Sequence, residues 1–324
     1  MTAYDIFHSE SFIEAHFMKS ITLFLMAVIP AAALCVYIYK KDRTDKEPVS
    51  LLLKLFLLGA LITVPTSIIE GITEPVIRGI FSAYGDVSSM PFIIYIFYQF
   101  IYNTFGIALV EEGMKWYVVT KTTKRNGNFN SLFDGVIYSV FVSLGFAALE
   151  NIMYVFNSNS FADGFSIAFA RFFTSVPGHM FFSVAMGYCY SMWHIFDLAK
   201  QCEAAYVSNG IVKQKGLPFD GENWLRRSII YPTAIHGIWD FLCSERLPSL
   251  WLYVFIIFLY IVGFYRIKKL SKADNYDRSI ALGLTVKKYP EIREFFAARA
   301  AQQTVTPRSV ISGEYFNKGE NGLR

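Results

Sequence analysis

Charge is the scarcest ingredient of this 324-residue sequence: Asp, Glu, Lys and Arg together make up 17% of it, where soluble chains carry about a quarter. With 54% hydrophobic residues and a mean hydropathy of +0.36, that shortfall excludes an ordinary soluble enzyme and a nucleic-acid-binding protein. Cysteine is also sparse. Cys35, Cys189, Cys202 and Cys243 form no CxxC pair, which excludes a disulfide framework and a thiolate zinc site. The N-terminus lacks the basic stretch and small-residue cleavage site of a signal peptide, so the first apolar span is expected to stay in the mature protein. Internal repeats and low-complexity tracts are missing as well. So are the Gly-x-Ser-x-Gly, His-Glu-x-x-His and paired-aspartate signatures, which leaves serine, zincin and aspartyl mechanisms without support.

What the sequence does have is long runs free of charge, at 20–39, 87–110, 172–196 and 247–265. Each reaches the roughly 18–20 residues that cross a ~30 Å hydrocarbon layer as a helix. Three further runs, 51–69, 134–156 and 228–244, qualify once a few interior charges are tolerated. These are continuous blocks rather than alternating strands, so the fold class is all-α, a polytopic transmembrane helix bundle of about seven spans. Lys and Arg cluster in alternate connections (Lys40 to Lys46, Lys121 to Arg125, Lys200 to Arg227, Arg266 to Lys272). The positive-inside rule then puts the N-terminus outside and the C-terminus in the cytoplasm. The expected domains are an external segment 1–19, a transmembrane core 20–266 and a cytoplasmic polar tail 267–324. Segment 70–91 reads as an external or re-entrant piece. Residues 161–197 are too long for one perpendicular helix, and Pro177-Gly178 marks the expected break. In the tail, 290–303 reads as an amphipathic helix starting at proline and the last twenty residues as disorder.

Few ionisable groups lie inside the spans, and a charge there costs about 2.5–3.5 kcal/mol on insertion scales, so each calls for a partner or a function. Lys54 reads as a snorkelling residue and His194 as an interfacial one. The remainder are Glu111, Glu112, Lys115, Glu150, His179, His236 and Asp240. Glu111 and Glu112 precede Lys115 by four and three residues, so either carboxylate can meet the ammonium on one helix face. The other is left free to act as a general base. Phe146 stands one turn before Glu150, with Asn151 adjacent as a hydrogen-bond donor, and Asp240 stands one turn after His236, where it can fix the imidazole tautomer. Counting ~1.5 Å per residue from the cytoplasmic ends puts Glu112 and His236 about 13–14 Å deep, Asp240 about 20 Å, and Glu150 and His179 about 24–27 Å. The expectation is therefore two layers whose meeting depends on helix tilt.

In these residues the sequence resembles the PrsW family of intramembrane proteases, part of a superfamily with the CAAX prenyl proteases and Abi-type membrane proteins. The family's Glu-Glu-x-x-Lys, Phe-x-x-x-Glu, lone His and His-x-x-x-Asp motifs match Glu111 to Lys115, Phe146 to Glu150, His179 and His236 to Asp240, without departure. The similarity covers roughly residues 20–266, and Asp42 to Pro48 is similar to the family's first cytoplasmic loop. The resemblance implies an intramembrane endopeptidase, multi-pass in the bacterial inner membrane, that cuts a single-pass, membrane-anchored protein such as an anti-sigma factor on its extracytoplasmic side. The expected catalytic set is Glu111, Glu112, Glu150, His179, His236 and Asp240, supported by Lys115, Asn151 and Phe146. Metal dependence is open: the reaction runs without a metal, or with a divalent ion such as zinc on Glu112, Glu150, His179 and His236. The alternatives from other classes are a proton-coupled transporter and a catalytically inactive membrane scaffold.

Overall fold

The computed structural model describes residues 3–302, with side chains from Phe17 to Arg299, and is helical almost throughout. In chain order the helices are α1 (Ala3–Lys41), α2 (Val49–Ile80), α3 (Phe92–Ile101), α4 (Leu109–Thr123), α5 (Asp134–Phe156), α6 (Phe161–Phe173), α7 (Ser175–Ser208), α8 (Glu222–Leu242), α9 (Ser249–Ala273), α10 (Asp277–Lys288) and α11 (Glu291–Gln302). A π-helical stretch, Tyr102–Ala108, joins α3 to α4. Among the described residues five stretches are long and apolar enough to cross a membrane: Phe17–Lys41, Val49–Ile80, Phe92–Thr123, Asp134–Phe156 and Ser249–Ala273. The other two expected spans are present as the helices α7 and α8, and their polar content is that of the residues discussed below.

Residues 70–80 are helical and continue α2, which ends at Ile80 before a 3-10 turn at Ser82–Tyr84. One expectation is corrected. The break in 161–197 falls at Thr174, between α6 and α7, and not at Pro177-Gly178. Thr174 leaves helical geometry (φ −120°, ψ −76°), while Pro177 lies in the first turn of α7, where a missing N–H removes no helical hydrogen bond. The segment ahead of it starts at Ser160, whose hydroxyl accepts the Asp163 N–H at 3.1 Å, and forms α6.

The chain divides into two units, Met1–Ile195 with Asp220–Asp277, and Phe196–Phe219 with Arg278–Arg324. In the first, α5 is the central helix, and nearly every residue from Asp134 to Ala148 is buried. Two close approaches hold it. A Cβ on Gly59 of α2 would lie 1.9 Å from the Val142 carbonyl oxygen, and one on Gly145 of α5 would lie 1.9 Å from that of Phe56. Gly135 of α5 and Gly187 of α7 meet backbone to backbone in the same way. Without water to drive association, such small-residue contacts are how membrane helices pack. In the second unit, Glu203 accepts hydrogen bonds from the Phe219 N–H (2.9 Å), Lys288 (2.5 Å) and the Tyr289 hydroxyl (2.5 Å). Here α11 follows Pro290 as expected and packs through Ile292 and, partly, Phe295, with Phe296 exposed. The expected disordered terminus lies outside the described residues.

The connection between α1 and α2 is drawn into the first unit. Asp42 accepts the Glu47 N–H at 3.2 Å, Asp274 accepts those of Thr44 and Phe133 at 3.0 Å each, and Asp134 accepts those of Asn130 (2.8 Å) and Ser131 (2.7 Å). Glu47 is 3% exposed and one of its carboxylate oxygens has no hydrogen-bond partner among the described residues. Burial first, then the nearby Asp134 carboxylate, push the Glu47 carboxyl up from 4.5 to about 8. A carboxyl whose pKa rises on folding favours the folded state at low pH, and that contribution is lost as pH climbs from about 4.5 through about 8. Glu47→Gln is therefore expected to flatten the decline in thermal stability between pH 5 and pH 8, measured by melting in detergent.

Candidate active site

The site is assembled from α4, α5, α7 and α8, with α6 at its edge. The π-helical turn Tyr102–Ala108 is wider than an α turn and re-phases α4 relative to α3. Gly237 of α8 fits against it: a Cβ there would lie 2.8 Å from the Thr104 hydroxyl and 3.0 Å from its Cα. That contact brings His236, the neighbour of Gly237, beside the first turn of α4, where Glu111 and Glu112 sit. On the other side, Ser143 of α5 donates its hydroxyl to the His179 carbonyl at 3.0 Å, fixing the start of α7 against α5.

Lys115 is the centre of the cluster and is fully buried. Its Nζ lies 2.8 Å from Glu111 Oε2, 2.9 Å from Glu112 Oε1 and 3.1 Å from His179 Nδ1, with the Phe146 ring centroid 4.1 Å away. Three ammonium hydrogens thus meet three acceptors over an aromatic face. His179 Nδ1 accepts, which assigns its proton to Nε2, and that nitrogen donates to Glu150 Oε2 at 3.0 Å. His236 Nδ1 lies 3.0 Å from Glu112 Oε1, and the two imidazole rings stand 5.3 Å apart. Asp240 Oδ2 lies 3.3 Å from His236 Nε2 without the alignment of a hydrogen bond. The two depth layers therefore meet, because α7 starts at the level of the site and His179 occupies its first turns.

The structure brings together all seven ionisable residues that the sequence singled out inside the spans. Phe146 lies under the ammonium, and Asn151 donates its amide N–H to the Ala27 carbonyl at 3.2 Å while its Oδ1 faces α6. Lys54 is exposed and outside the cluster, and His194 lies apart, 2.9 Å from Asp277 and stacked on Phe129. Sequence reasoning missed Arg171 of α6. Its guanidinium donates to Glu150 Oε2 at 2.6 Å and to Asn151 Oδ1 at 2.5 Å, and it lies over the Tyr154 ring at 4.2 Å. A lone arginine within 161–173, a stretch too short to span, was the available signal. Arg171 clamps the carboxylate that orients His179, so Arg171→Ala is expected to lower activity by about 10–100-fold while the protein still folds, read from cleavage rates alongside melting curves.

One oxygen, nitrogen or carboxylate atom from each of Glu111, Glu112, His179 and His236 lies within 4.8 Å of the others, and all four residues are buried. Oxygen and imidazole donors suit a zinc-type ion, and three of these four with a water would make the catalytic arrangement. One observation supports the fit: Glu112 Oε2 is buried with no partner among the described residues, whereas the Lys115 ammonium, bonded to three of the four donors, would have to release them to an ion. The set differs from the expected one in a single member. Glu111 takes the place of Glu150, which lies one contact further out behind His179.

A cleft of about 910 Å³ opens onto the cluster, lined by Glu111, Glu150, Arg171, His179, His236 and Asp240 and by Val87, Ser88 and Arg246 from two connections. Arg246 ties those connections together. It donates to the carbonyls of Met90 (2.8 Å), Val87 (3.4 Å) and Ser88 and lies 4.5 Å over the Tyr95 ring.

Comparison with known proteins agrees with the geometry. A family model described as PrsW family intramembrane metalloprotease matches residues 47–265. The chain is 30% identical over 269 residues to Protease PrsW of Clostridioides difficile (strain 630), covering 82% of this chain and 97% of that protein. It is 30% identical over 261 residues to Protease PrsW of Geobacillus kaustophilus (81% and 96%), and 29% over 248 residues to Protease PrsW of Bacillus subtilis (76% and 94%). No solved structure matches significantly. With the four motifs gathered in one buried cluster and a family match spanning most of the helical bundle, the chain belongs to the PrsW family of intramembrane metalloproteases and is a multi-pass membrane protease.

Proposed function

We propose that this protease hydrolyses a peptide bond of a single-pass membrane protein, of the anti-sigma-factor kind implied by the sequence resemblance, on the extracytoplasmic side of its membrane segment. The observation that carries the reading is the cleft, which joins the Glu/His cluster to the connections holding Val87, Ser88 and Arg246. Counting Lys and Arg along the chain assigns those connections to the outside, in a seven-span topology with the N-terminus outside and the C-terminus cytoplasmic.

In this reading the Glu111–Glu112 pair takes the proton of the attacking water, with Glu111 lining the cleft and Glu112 buried behind it. His179, held by the Glu150 carboxylate, keeps its Nδ1 turned into the site. His236, with Asp240 at its back, faces the same space and polarises the scissile carbonyl. Lys115 holds the two glutamates at fixed separation. Three of Glu111, Glu112, His179 and His236 would hold a divalent ion such as zinc, which when bound would supply Lewis acidity and a water that ionises near neutral pH. The transporter and scaffold alternatives gain no specific support: the halves of the chain are not duplicated and no motif residue is missing.

The test is co-expression of single-pass candidate substrates with wild type, Glu150→Gln and His236→Ala, together with metal analysis of the purified proteins. Cleavage by wild type alone, with about one divalent ion per chain, is the expected result. Equal cleavage by all three overturns the protease assignment of these residues, and full activity of metal-stripped protein overturns the metal.

A further inference from the structure

A second concavity, about 750 Å³, lies where α4 ends and α8 begins, and it belongs to none of the chemistry above. Its lining includes Lys121, Lys124 and Arg125 and no carboxylate. The three cations are spaced i, i+3 and i+4, so they share one face, and Lys124 continues the helix in right-handed α geometry. All three are exposed, and none makes an ion pair among the described residues; Lys124 rests on the Trp193 ring at 4.8 Å. A helix C-terminus accounts for one or two basic residues in its last turn, but not for a concave basic surface with an aromatic floor.

The floor is built in advance. Trp116 donates its indole N–H to the Ser228 hydroxyl at 2.8 Å, linking α4 to α8, and the Thr123 and Tyr190 hydroxyls lie 3.1 Å apart. Tyr117, 55% exposed, stands one turn above the cations on the apolar side. The connection 124–133 joins two membrane-crossing helices and therefore lies at a membrane surface, at headgroup level. Unpaired cations there, below an amphipathic aromatic ring, form an arrangement that suits a phosphodiester.

We propose that this groove binds the headgroup of an anionic phospholipid, with Lys121, Lys124 and Arg125 on the phosphate and Trp116 and Tyr117 against the glycerol and first acyl carbons. The assignment is independent of the protease chemistry, since none of these residues touches the Glu/His cluster. A lipid held at this point would tie α4 to α8, the two helices that carry Glu112 and His236.

The experiment uses the full chain, purified in detergent and titrated with phosphatidylglycerol, phosphatidylcholine or inorganic phosphate under native mass spectrometry. Wild type is expected to hold phosphatidylglycerol at least tenfold more tightly than phosphatidylcholine. The triple variant K121Q/K124Q/R125Q should lose that preference while remaining monodisperse. A control, K268Q/K269Q/K272Q at the end of α9, should keep it, since those lysines lie outside the groove. Equal phosphatidylglycerol binding by wild type and the groove variant overturns the proposal, as does an equal loss in the control. Full competition by inorganic phosphate at equal concentration overturns the lipid as the source of the phosphate. If the triple variant does not stay monodisperse, the single changes K121Q and R125Q replace it, each expected to weaken binding at least about threefold, and no weakening in either overturns the proposal.

Discussion

Glu112→Gln is expected to reduce peptide cleavage by at least about a thousandfold without unfolding the protein, which is the upper part of the range for a general base. Glu112 is 0% exposed and one of its oxygens receives both Lys115 and His236 Nδ1, so only the other is left without a partner among the described residues, directly behind Glu111 of the cleft wall. Glutamine keeps the volume and can keep the bonds from Lys115 and His236, but it has no charge and cannot accept a proton. It also leaves Glu111 as the sole carboxylate neutralising Lys115 from within α4. The measurement is single-turnover cleavage by purified protein, with monodispersity and melting temperature as the folding check. Cleavage within tenfold of wild type would move the role to Glu111, whose Oε2 lies 2.8 Å from the same ammonium.

The second large effect is structural. Gly145→Ala places a methyl 1.9 Å from the Phe56 carbonyl oxygen, far inside van der Waals contact and against main chain rather than a side chain that could turn away. Overpacking a core by flexible side chains costs about 1–3 kcal/mol, and here neither partner can rotate away, so the cost is at or above that range. Gly145 is also next to Phe146 and five residues before Glu150, so parting α2 from α5 would shift the aromatic face beneath Lys115 and the partner of His179. The expected result is poor accumulation in the membrane and a strongly lowered melting temperature. Gly59→Ala should do the same from the other side. Gly71→Ala, also in α2 but with nothing within 4 Å of its new methyl, should be neutral or slightly stabilising, because alanine favours helix by about 1 kcal/mol over glycine.

The bundle and the site were legible in the sequence because both follow from the cost of charge in hydrocarbon. Long uncharged runs can only be spanning helices, and the residues that break them, Glu112, Glu150, His179 and His236, can be kept only by meeting one another. What was not legible depends on contacts distant in sequence. The break at Thr174 was missed because proline at 177 reads as a helix breaker in isolation, whereas in a first turn it is harmless. The helical continuation 70–80 was missed because Glu70 and Glu74 look too polar to span. Glu70 nonetheless packs inward with one oxygen buried. The π turn at 102–108 has no local sequence marker, and it owes its place to Gly237 pressing on Thr104. Arg171 reads as an ordinary interfacial cation until Glu150, 21 residues away in sequence, is seen against it.

The clamp at the mouth of the cleft bears on how such an enzyme could change what it cuts. Arg246 holds residues 87–90 through their main-chain carbonyls, while buried Met90 and half-buried Val87 pack with Ile77, Tyr95 and Tyr98. Ser88, whose side chain is exposed, is the position that can be exchanged without dismantling the rim. If the cleft admits substrate as proposed above, selectivity for a new target would be written at this exposed position of the lip, without editing the buried carboxylates and imidazoles.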